Sequence, residues 1–401
     1  MKKVLIIGSG WEQYKLIKEA KKMGLEVIAT HPVMNNEGFL LSDYNYIRNA
    51  EDIESHINLA KSFNVDGIIT DNCDYSFYTA TVVSSILDLP FATMKDGILC
   101  IDKHAQRELV NKKNNPTYFE CRDFKSYLEA IDKLTCPYIV KPVDNRGTFG
   151  VMIVKNKYGQ QSKYKSAFYN ALSNSPSKRV IVEQFIEGTL VTVDGFCFKN
   201  GHRALAVASR KYNEGPIPVT NEIIYPAEFS NKLNKKLLDN HENIVKDLGY
   251  QYGHTHGEYI VDKNEKIYLV ECTNRGGGVY TSSTIVPLLT EINLNKILIE
   301  QSLGIDKYTV SNDDFLTKNS AILSFLNLEP GKVIKSINLE ELKLLPYVVE
   351  LRSLYNEKDL VESIENCASR HIMLVIKGDN LQESKNNLED FKNKLKVEYY
   401  K

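Results

Sequence analysis

Apolar and polar positions change their period along the chain, and those changes divide it. Between residues 1 and 95, short unbroken apolar runs alternate with stretches of helical spacing. Residues 4–7 form such a run and end in Gly8-Ser9-Gly10; residues 12–23 carry a helical pattern closed by Gly24. The runs "LEVIAT" and "VDGIIT" (65–70) repeat the strand signal, the second followed by a helix ending near "LDLP". Continuous apolar strands separated by helices predict a parallel, doubly wound sheet. Residues 96–117 read as one helix and "NNPT" as a turn. From about 118 to 188 the pattern is mixed. It has a strand "CPYIVKP" (136–142), a loop "DNRGTFG" (144–150), a return strand "VMIVKN" (151–156), a helix "KSAFYNAL" and a strand "RVIVEQFIEG" (179–188). Residues 190–212 read as two strands turning at Lys199-Asn200-Gly201, because Asn-Gly is a strong hairpin signal. A long amphipathic helix, a hairpin and a second helical region (283–304) come next. The segment from 310 adds short strands, "AILSFLNLE" and "HIMLVIKG", and a charged helix.

The hairpin lies in "HTHGEYIVDKNEKIYLVECTNRGGG" (254–278), where two apolar runs flank the polar turn "KNEK". With Asn264-Glu265 as a two-residue loop, counting outward sets Glu258 opposite Glu271. Directly opposed side chains share a face, with Cβ atoms about 4.5–5.5 Å apart, and like charges placed so are destabilising. A cation removes the conflict, and Mg²⁺ favours one or two carboxylates plus phosphate oxygens. Two solvated strand-end glutamates are the simpler alternative. The tail favours the cation, since Asn274 and Arg275 add an oxygen ligand and a fixed charge, and Gly276–Gly278 let backbone approach a ligand closely.

Composition adds constraints. The 401 residues suffice for two or three domains, and 43% apolar with 25% charged residues is ordinary for a soluble globular chain. A net charge of −1 gives no bulk basicity for nucleic acid or membrane. No apolar run approaches the roughly 18 residues of a membrane span. Seven dispersed cysteines without a Cys-x-x-Cys argue against zinc or disulfide frameworks and fit a reducing cytoplasm. In Gly8-x-Gly10, Gln13 takes the place of the third glycine of a dinucleotide fingerprint, so a tight strand–helix turn is the preferred reading.

Lys141 closes an apolar strand, where its ammonium could meet phosphate oxygens or simply water. The adjoining loop holds Gly147 and Gly150, whose backbone could cover phosphates, although no Walker lysine follows. Glu183 ends a strand, and the backbone after it, with Phe185 and Ile186, could read and pack an adenine ring. The order is informative: helix lysine, strand lysine, glycine loop, hinge glutamate, then the carboxylate pair with Asn-Arg.

With that order, the chain resembles the ATP-grasp ligases over most of its length, through "DKHAQRELVNKKNNPTYFE" (102–120), "PYIVKPVDNRGTFGV", "VIVEQFIEGTLVTVDG" and residues 254–278. The C-terminal segment "KVIKSINL…HIMLVIKG" is similar to the small lobe of the amino-acid-ligase and carboxylase-like branches. The resemblance implies an α/β (α+β) fold in three parts. These are an N-terminal Rossmann-like domain (1–95), an ATP-grasp domain (96–309) with a lid at about 118–188 and a central antiparallel sheet, and a small C-terminal lobe (310–401). It also implies ATP and Mg²⁺ (or Mn²⁺) as cofactors. Lys103 and Lys141 would contact phosphate; Gly147, Thr148 and Gly150 would form the mobile lid; Glu183, Gln184, Phe185 and Ile186 would form the adenine hinge. Glu258 and Glu271 would hold the metal with Asn274, and Arg275 with Lys141 would steady the transferred phosphate. His256 matches a His-x-Glu pattern of the amino-acid-ligase branch.

Two departures leave alternatives. The usual Glu-x-Asn-x-Arg ending is Glu271-Cys272-Thr273-Asn274-Arg275, so either Thr273 or Asn274 is the metal-side ligand. The ribose-binding acid expected seven residues after Glu183 is Leu190, leaving Glu187 or Asp194 to substitute. The implied activity is ATP-dependent joining of a carboxylate to an amine through an acyl-phosphate, with small-molecule substrates and no nucleic acid or membrane partner. A cytoplasmic setting and, as an option, a homodimer go with it. A bicarbonate-activating carboxylase-like enzyme and a non-catalytic ATP-binding protein are the alternatives. Arg210 and "DYSFYTA" (74–80) are candidates for specificity.

Overall fold

The computed structural model describes residues 1–145, 147–158, 163–212, 220–310, 319–364 and 369–400. Arg146 of the lid loop and Cys367 lie outside the described residues.

The N-terminal domain is the expected parallel sheet. Strands β1 (Lys3–Ile7), β2 (Glu26–His31), β3 (Tyr44–Ile47) and β4 (Gly67–Ile69) lie in the order β3-β2-β1-β4. β1 is buried from its second residue onward, as a strand covered on both faces must be. Helices α1 (Tyr14–Lys22), α2 (Ile53–Phe63) and α3 (Asp74–Leu87) cover it. β3 was not expected: its residues 44–47 are mostly exposed, so no apolar run marks it.

Residues 96–117 do not form one helix. α4 (Met94–Ile101) and α5 (Lys103–Leu109) are separated at Asp102, which has an extended backbone and ends the first helix. The Asp102 carboxylate accepts the Ala105 N–H, starting the second helix as a side-chain cap, and also pairs with Arg179. The break turns α5 so that Lys103 and Arg107, one turn apart, face the cleft.

The lid contains β5 (Tyr118–Cys121), α6 (Phe124–Asp132), β6 (Tyr138–Pro142), β7 (Met152–Val154), α7 (Tyr164–Ser173) and β8 (Val180–Gln184), with sheet order β5-β8-β6-β7. Its own core includes Tyr127, Tyr138, Phe168 and Val182.

The central sheet runs through β9 (Thr189–Phe198), β10 (Gly201–Tyr212), β11 (Thr220–Tyr225), β12 (Gly253–Val261) and β13 (Ile267–Thr273), with α8 (Asn231–Leu248) packed on one face. After α9 (Val286–Thr290) and α10 (Leu294–Ser302) come β14 (Ser320–Leu326), β15 (Ile334–Ile337), α11 (Leu339–Leu342), β16 (Val348–Ser353), β17 (Ile372–Gly378), α12 (Leu381–Lys394) and β18 (Val397–Tyr399). Of these, β14, β17 and β16 continue the central sheet beyond β11, in the order β13-β12-β9-β10-β11-β14-β17-β16. Only β15 and β18 pair separately. The C-terminal lobe is therefore joined to the ATP-grasp region by continuous hydrogen bonding between β11 and β14.

The hairpin turn differs from the expected two-residue loop. Asp262 pairs with Lys266 around residues 263–265, with Glu265 left-handed at φ 56°. That loop alone would shift the register by one. A bulge at Val270 shifts it back, so Tyr259 faces Leu269 but Glu258 faces Glu271.

Candidate active site

One face of the central sheet packs on α8 through Val191, Val193, Tyr259, Val261 and Leu269. Side chains alternate along a strand, so the opposite face carries the polar residues between them. Two cross-strand rows result. Glu271, Glu258 and Thr192 are neighbours on β13, β12 and β9; Thr273, His256 and Asp194 form the next row.

The opposed glutamates are each met by a cation from outside the hairpin. Glu258 pairs with Arg210 at 2.6 Å, and Glu271 with Lys103 at 3.1 Å. Lys103 also donates to the Asn145 carbonyl at 2.6 Å, tying the base of the glycine loop to the acid pair. Burial alone would raise the Glu258 carboxyl, but Arg210 and then His256 outweigh it and hold it well below the usual range. His256 lies 3.9 Å from Glu258 and binds Asp194 at 2.7 Å. Burial would lower its pKa, yet Asp194 raises it to about 9, so the imidazole is charged at neutral pH. Tyr225 donates to the other Asp194 oxygen at 2.6 Å. Asp194 is thus engaged by His256 and Tyr225, and a ribose-binding role does not suit it.

Lys141 and Glu183 come together as a buried charge cluster. Glu183 accepts from Lys141 at 2.6 Å and from Arg107 at 2.8 Å. Burial opposes its charge, but Arg107 and then Lys141 hold the carboxyl below its ordinary value; burial lowers the Lys141 pKa. Arg107 also donates to the carbonyl of Val270 at 2.8 Å, at the bulge that sets the carboxylate register. The Glu183 carboxylate is therefore taken up by Arg107 and Lys141, unlike the expected hinge role. The Gln184 amide is tied to Thr135 and Pro137, and the Phe185 N–H donates to Pro137 O at 3.3 Å; Phe185 and Ile186 are half-buried. Gly147 (φ 59°), Thr148 and Gly150 (φ 73°) form a turn just beyond Lys141.

Asn274 departs from expectation. It is fully buried and donates to Tyr252 O and to His254 O at 2.9 Å, one residue out of phase with Glu271. Thr273, not Asn274, shares the carboxylate face. Arg275 does reach the cleft but is held by Asp74 in a two-pronged pair at 2.7 and 3.0 Å. The N-terminal domain grips the adjoining loop as well. Asp71 accepts from Gly276 N (2.7 Å) and Ser282 Oγ (2.6 Å), Asn72 donates to Gly277 O (2.6 Å), and Glu12 accepts from Val279 N (2.5 Å). Val279 and Tyr280 are left-handed at φ 55° and 65°, which is strained for a β-branched residue.

Sequence reasoning missed Arg107, Glu12 and Asp71, and reached Asp74 only as the first residue of the 74–80 stretch put forward for specificity. Only Arg107 had a local signal, its spacing of four from Lys103. The others act across more than two hundred residues of chain.

The residues suit Mg²⁺ and a nucleotide. Among the described residues no cluster of three or more His, Cys, Asp or Glu could cage a metal alone. Two carboxylates suffice only when phosphate oxygens and water complete the shell, which is the habit of Mg²⁺. Beside them, the buried Thr192 hydroxyl has no hydrogen-bond partner.

Residues 134–283 match the ATP-grasp domain family. The formate-dependent phosphoribosylglycinamide formyltransferase of Prochlorococcus marinus (strain MIT 9515) is 28% identical over 229 residues, which cover 50% of this chain and 54% of that relative. The chain thus spans about half the length of that curated relative. Among solved structures, L-amino acid ligase from Bacillus licheniformis superposes with a TM-score of 0.81 at 18% identity, covering 100% of this chain and 99% of that one. Phosphoribosylglycinamide synthetase from Anaerococcus prevotii gives 0.79 at 21% identity, covering 100% of both. These superpositions establish the fold.

Proposed function

We propose, on the premise that residues 134–283 form an ATP-grasp domain, that the protein is an ATP-dependent ligase joining a carboxylate to an amine. The observation that carries this reading is the opposition of Glu258 and Glu271, with Lys103 and Arg210 paired to them. Glu258 and Glu271 would hold Mg²⁺, which would supply positive charge against that building on the transferred group. The chain's own residues do the rest. Lys141, held by Glu183, would contact the phosphate chain beside the Gly147–Gly150 turn. Lys103 and Arg210, paired with Glu271 and Glu258, would also offer their charge to substrate oxygens. The substrate carboxylate oxygen attacks the γ-phosphorus, the bond to the β-phosphate oxygen breaks, and ADP leaves. The amine nitrogen then attacks the acyl carbon, the carbon–oxygen bond breaks with its electron pair going to phosphate, and the amine gives up a proton. Water must be kept out, because an acyl-phosphate hydrolyses. The named similar proteins, a formyltransferase, an amino acid ligase and a synthetase, support this direction, and a cytoplasmic setting with ATP at hand goes with it.

ADP release measured with pooled carboxylates and amines, with products read by mass spectrometry, tests the reading. A condensed product with stoichiometric ADP is expected. ADP formed with labelled bicarbonate and no carboxylate would move the protein to the carboxylase-like branch. Glu271→Gln is expected to abolish ADP formation without changing the fold; wild-type turnover in that variant would refute the metal assignment.

A further inference from the structure

A separate surface lies on the lid, on the side turned away from Lys141 and Glu183. In β6 and β8 the buried Tyr138, Val140, Val180 and Val182 face α6 and α7, while Lys141 and Glu183 alternate to the opposite face. The two helices therefore cover the outer side of the lid sheet. The whole-chain charge of −1 conceals a strong segregation in this part of the sequence. From residue 145 to residue 182 there are seven Lys or Arg and no Asp or Glu. Arg179 is taken up by Asp102 and Glu120.

Folding gathers part of that charge around exposed rings. Lys157 and Tyr158 follow β7, and Lys163 and Lys165 flank Tyr164 at the start of α7. Tyr158 meets Tyr164 edge-on at 5.4 Å. Phe124, the first residue of α6, stacks on Tyr164 at 6.3 Å and on Tyr169 at 5.6 Å, the latter pair only 13° from parallel. The four rings form a ladder whose end members, Tyr158 and Tyr169, are 54% and 55% exposed. Lys165 lies over Tyr164 at 5.9 Å. Among the described residues, Lys163 and Lys165 form no ion pair. The acids of α6 are already engaged. Asp123 caps the helix by accepting the Ser126 N–H at 2.7 Å, and Asp132 accepts the Tyr158 hydroxyl at 2.7 Å. Glu129 sits one turn from Lys125 and offsets its charge.

Cations set along a row of exposed rings match one class of partner. Single-stranded nucleic acid brings phosphates to the lysines and bases to the tyrosine faces, the combination used by binders without sequence preference. An acidic peptide would satisfy the lysines but has no flat ring for Tyr158 and Tyr169. A membrane surface calls for apolar side chains beside the cations, and α6 and α7 expose no large aliphatic one. We propose that the outer face of the lid docks single-stranded nucleic acid, with phosphates at Lys157, Lys163 and Lys165 and bases stacked on Tyr158 and Tyr169. This binding goes beyond the ligase reading and does not depend on it.

Fluorescence anisotropy of a labelled, mixed-sequence RNA of about twenty nucleotides, longer than one such site, tests this with the full chain. A dissociation constant of about 10 μM or tighter is expected at about 50 mM salt. Three engaged lysines set the slope of log affinity against log salt at about −2, so about 200 mM salt should weaken binding roughly twentyfold. Tyr169→Ala should weaken it about fivefold or more, the loss of one stacked base. Lys163→Gln combined with Lys165→Gln should bring the slope to about −0.7. In both variants the ATP dissociation constant should stay within about twofold of wild type. No RNA binding, salt-independent binding, or wild-type affinity in both variants would overturn the proposal. Labelled poly-L-glutamate binding as tightly as RNA would overturn it in favour of an acidic protein. Capture by phosphatidylserine vesicles without RNA binding would overturn it in favour of a membrane. Should Tyr169→Ala fail to fold, the salt slope of the lysine pair decides.

Discussion

Glu183 shows how a single side chain joins stability to chemistry. It is buried with Lys141 and Arg107, and neither cation has a second carboxylate within ion-pair range among the described residues. Removing one partner of such a cluster leaves uncompensated charge, at a cost of about 3–5 kcal/mol. Glu183→Gln is therefore expected to lower stability by about that amount in a denaturant titration; a change under about 0.5 kcal/mol, the range of ordinary surface substitutions, would show that the cluster is solvated. Lys141→Ala tests the proposed phosphate contact as well. The ATP dissociation constant should rise by about tenfold or more, as for a charged hydrogen bond, and an unchanged constant would take Lys141 out of the phosphate site.

At the level of elements, the β12–β13 hairpin depends on two irregularities that cancel. The three-residue loop shifts the register by one and the Val270 bulge restores it. Deleting Val270 removes the bulge while Leu269 keeps Tyr259 as its partner, so Glu271, now next in the chain, should still face Glu258 and Mg²⁺-dependent ATP binding should persist. Lost binding in calorimetry would show that the bulge itself shapes the site. The lid turn is equally specific. Gly150 is left-handed at φ 73°, and a Cβ there would lie 2.7 Å from Asn174 Cβ and 2.8 Å from Pro142 Cγ. Gly150→Ala should cost about 1–3 kcal/mol and slow turnover; wild-type melting and kinetics would mean that the turn adapts freely.

Across the whole molecule, the N-terminal domain and the β12–β13 hairpin are held together by side chains rather than by shared strands. Asp74 and Arg275 form the central pair. A double-mutant cycle with Asp74→Asn and Arg275→Gln should give a coupling of about 1–3 kcal/mol, and additivity would show that the clamp is incidental. Stability should also fall on mild acidification. Burial holds His241 well below, and His56 below, the ordinary histidine value of 6.5, so both are neutral in the folded state. The unfolded chain binds more protons once pH drops under 6.5, and stability present above that value is then lost. His256, raised to about 9, stays protonated in the folded state and works the other way, gaining stability as pH falls through 6.5, but His254 and His371, also lowered by burial, add to the loss and outnumber it. The depressed carboxylates Glu183 and Glu258 act only below their ordinary value of 4.5. A melting temperature that falls between pH 7 and 5.5 is the expected result; a flat profile would mean that these imidazoles are hydrated.

Local pattern was enough for the parallel sheet, the Lys199-Asn200-Gly201 turn, the order of lysine, glycine loop and glutamates, and the facing of Glu258 and Glu271. Those features come from periodicity and turn chemistry, which act over a few residues. The facing of the glutamates was nevertheless reached through a loop length that the chain does not have. Tertiary structure decided what depends on distant partners. It joined the C-terminal strands to the central sheet, broke the helix at Asp102 where Arg179 adds to its cap, and turned Asn274 inward to the carbonyls of Tyr252 and His254. It also enlisted Glu12, Asp71 and Asp74 to hold a loop that begins at Arg275. A chain's sequence states which groups are available nearby; where a charge buried by folding finds its counterpart is settled only when remote segments meet.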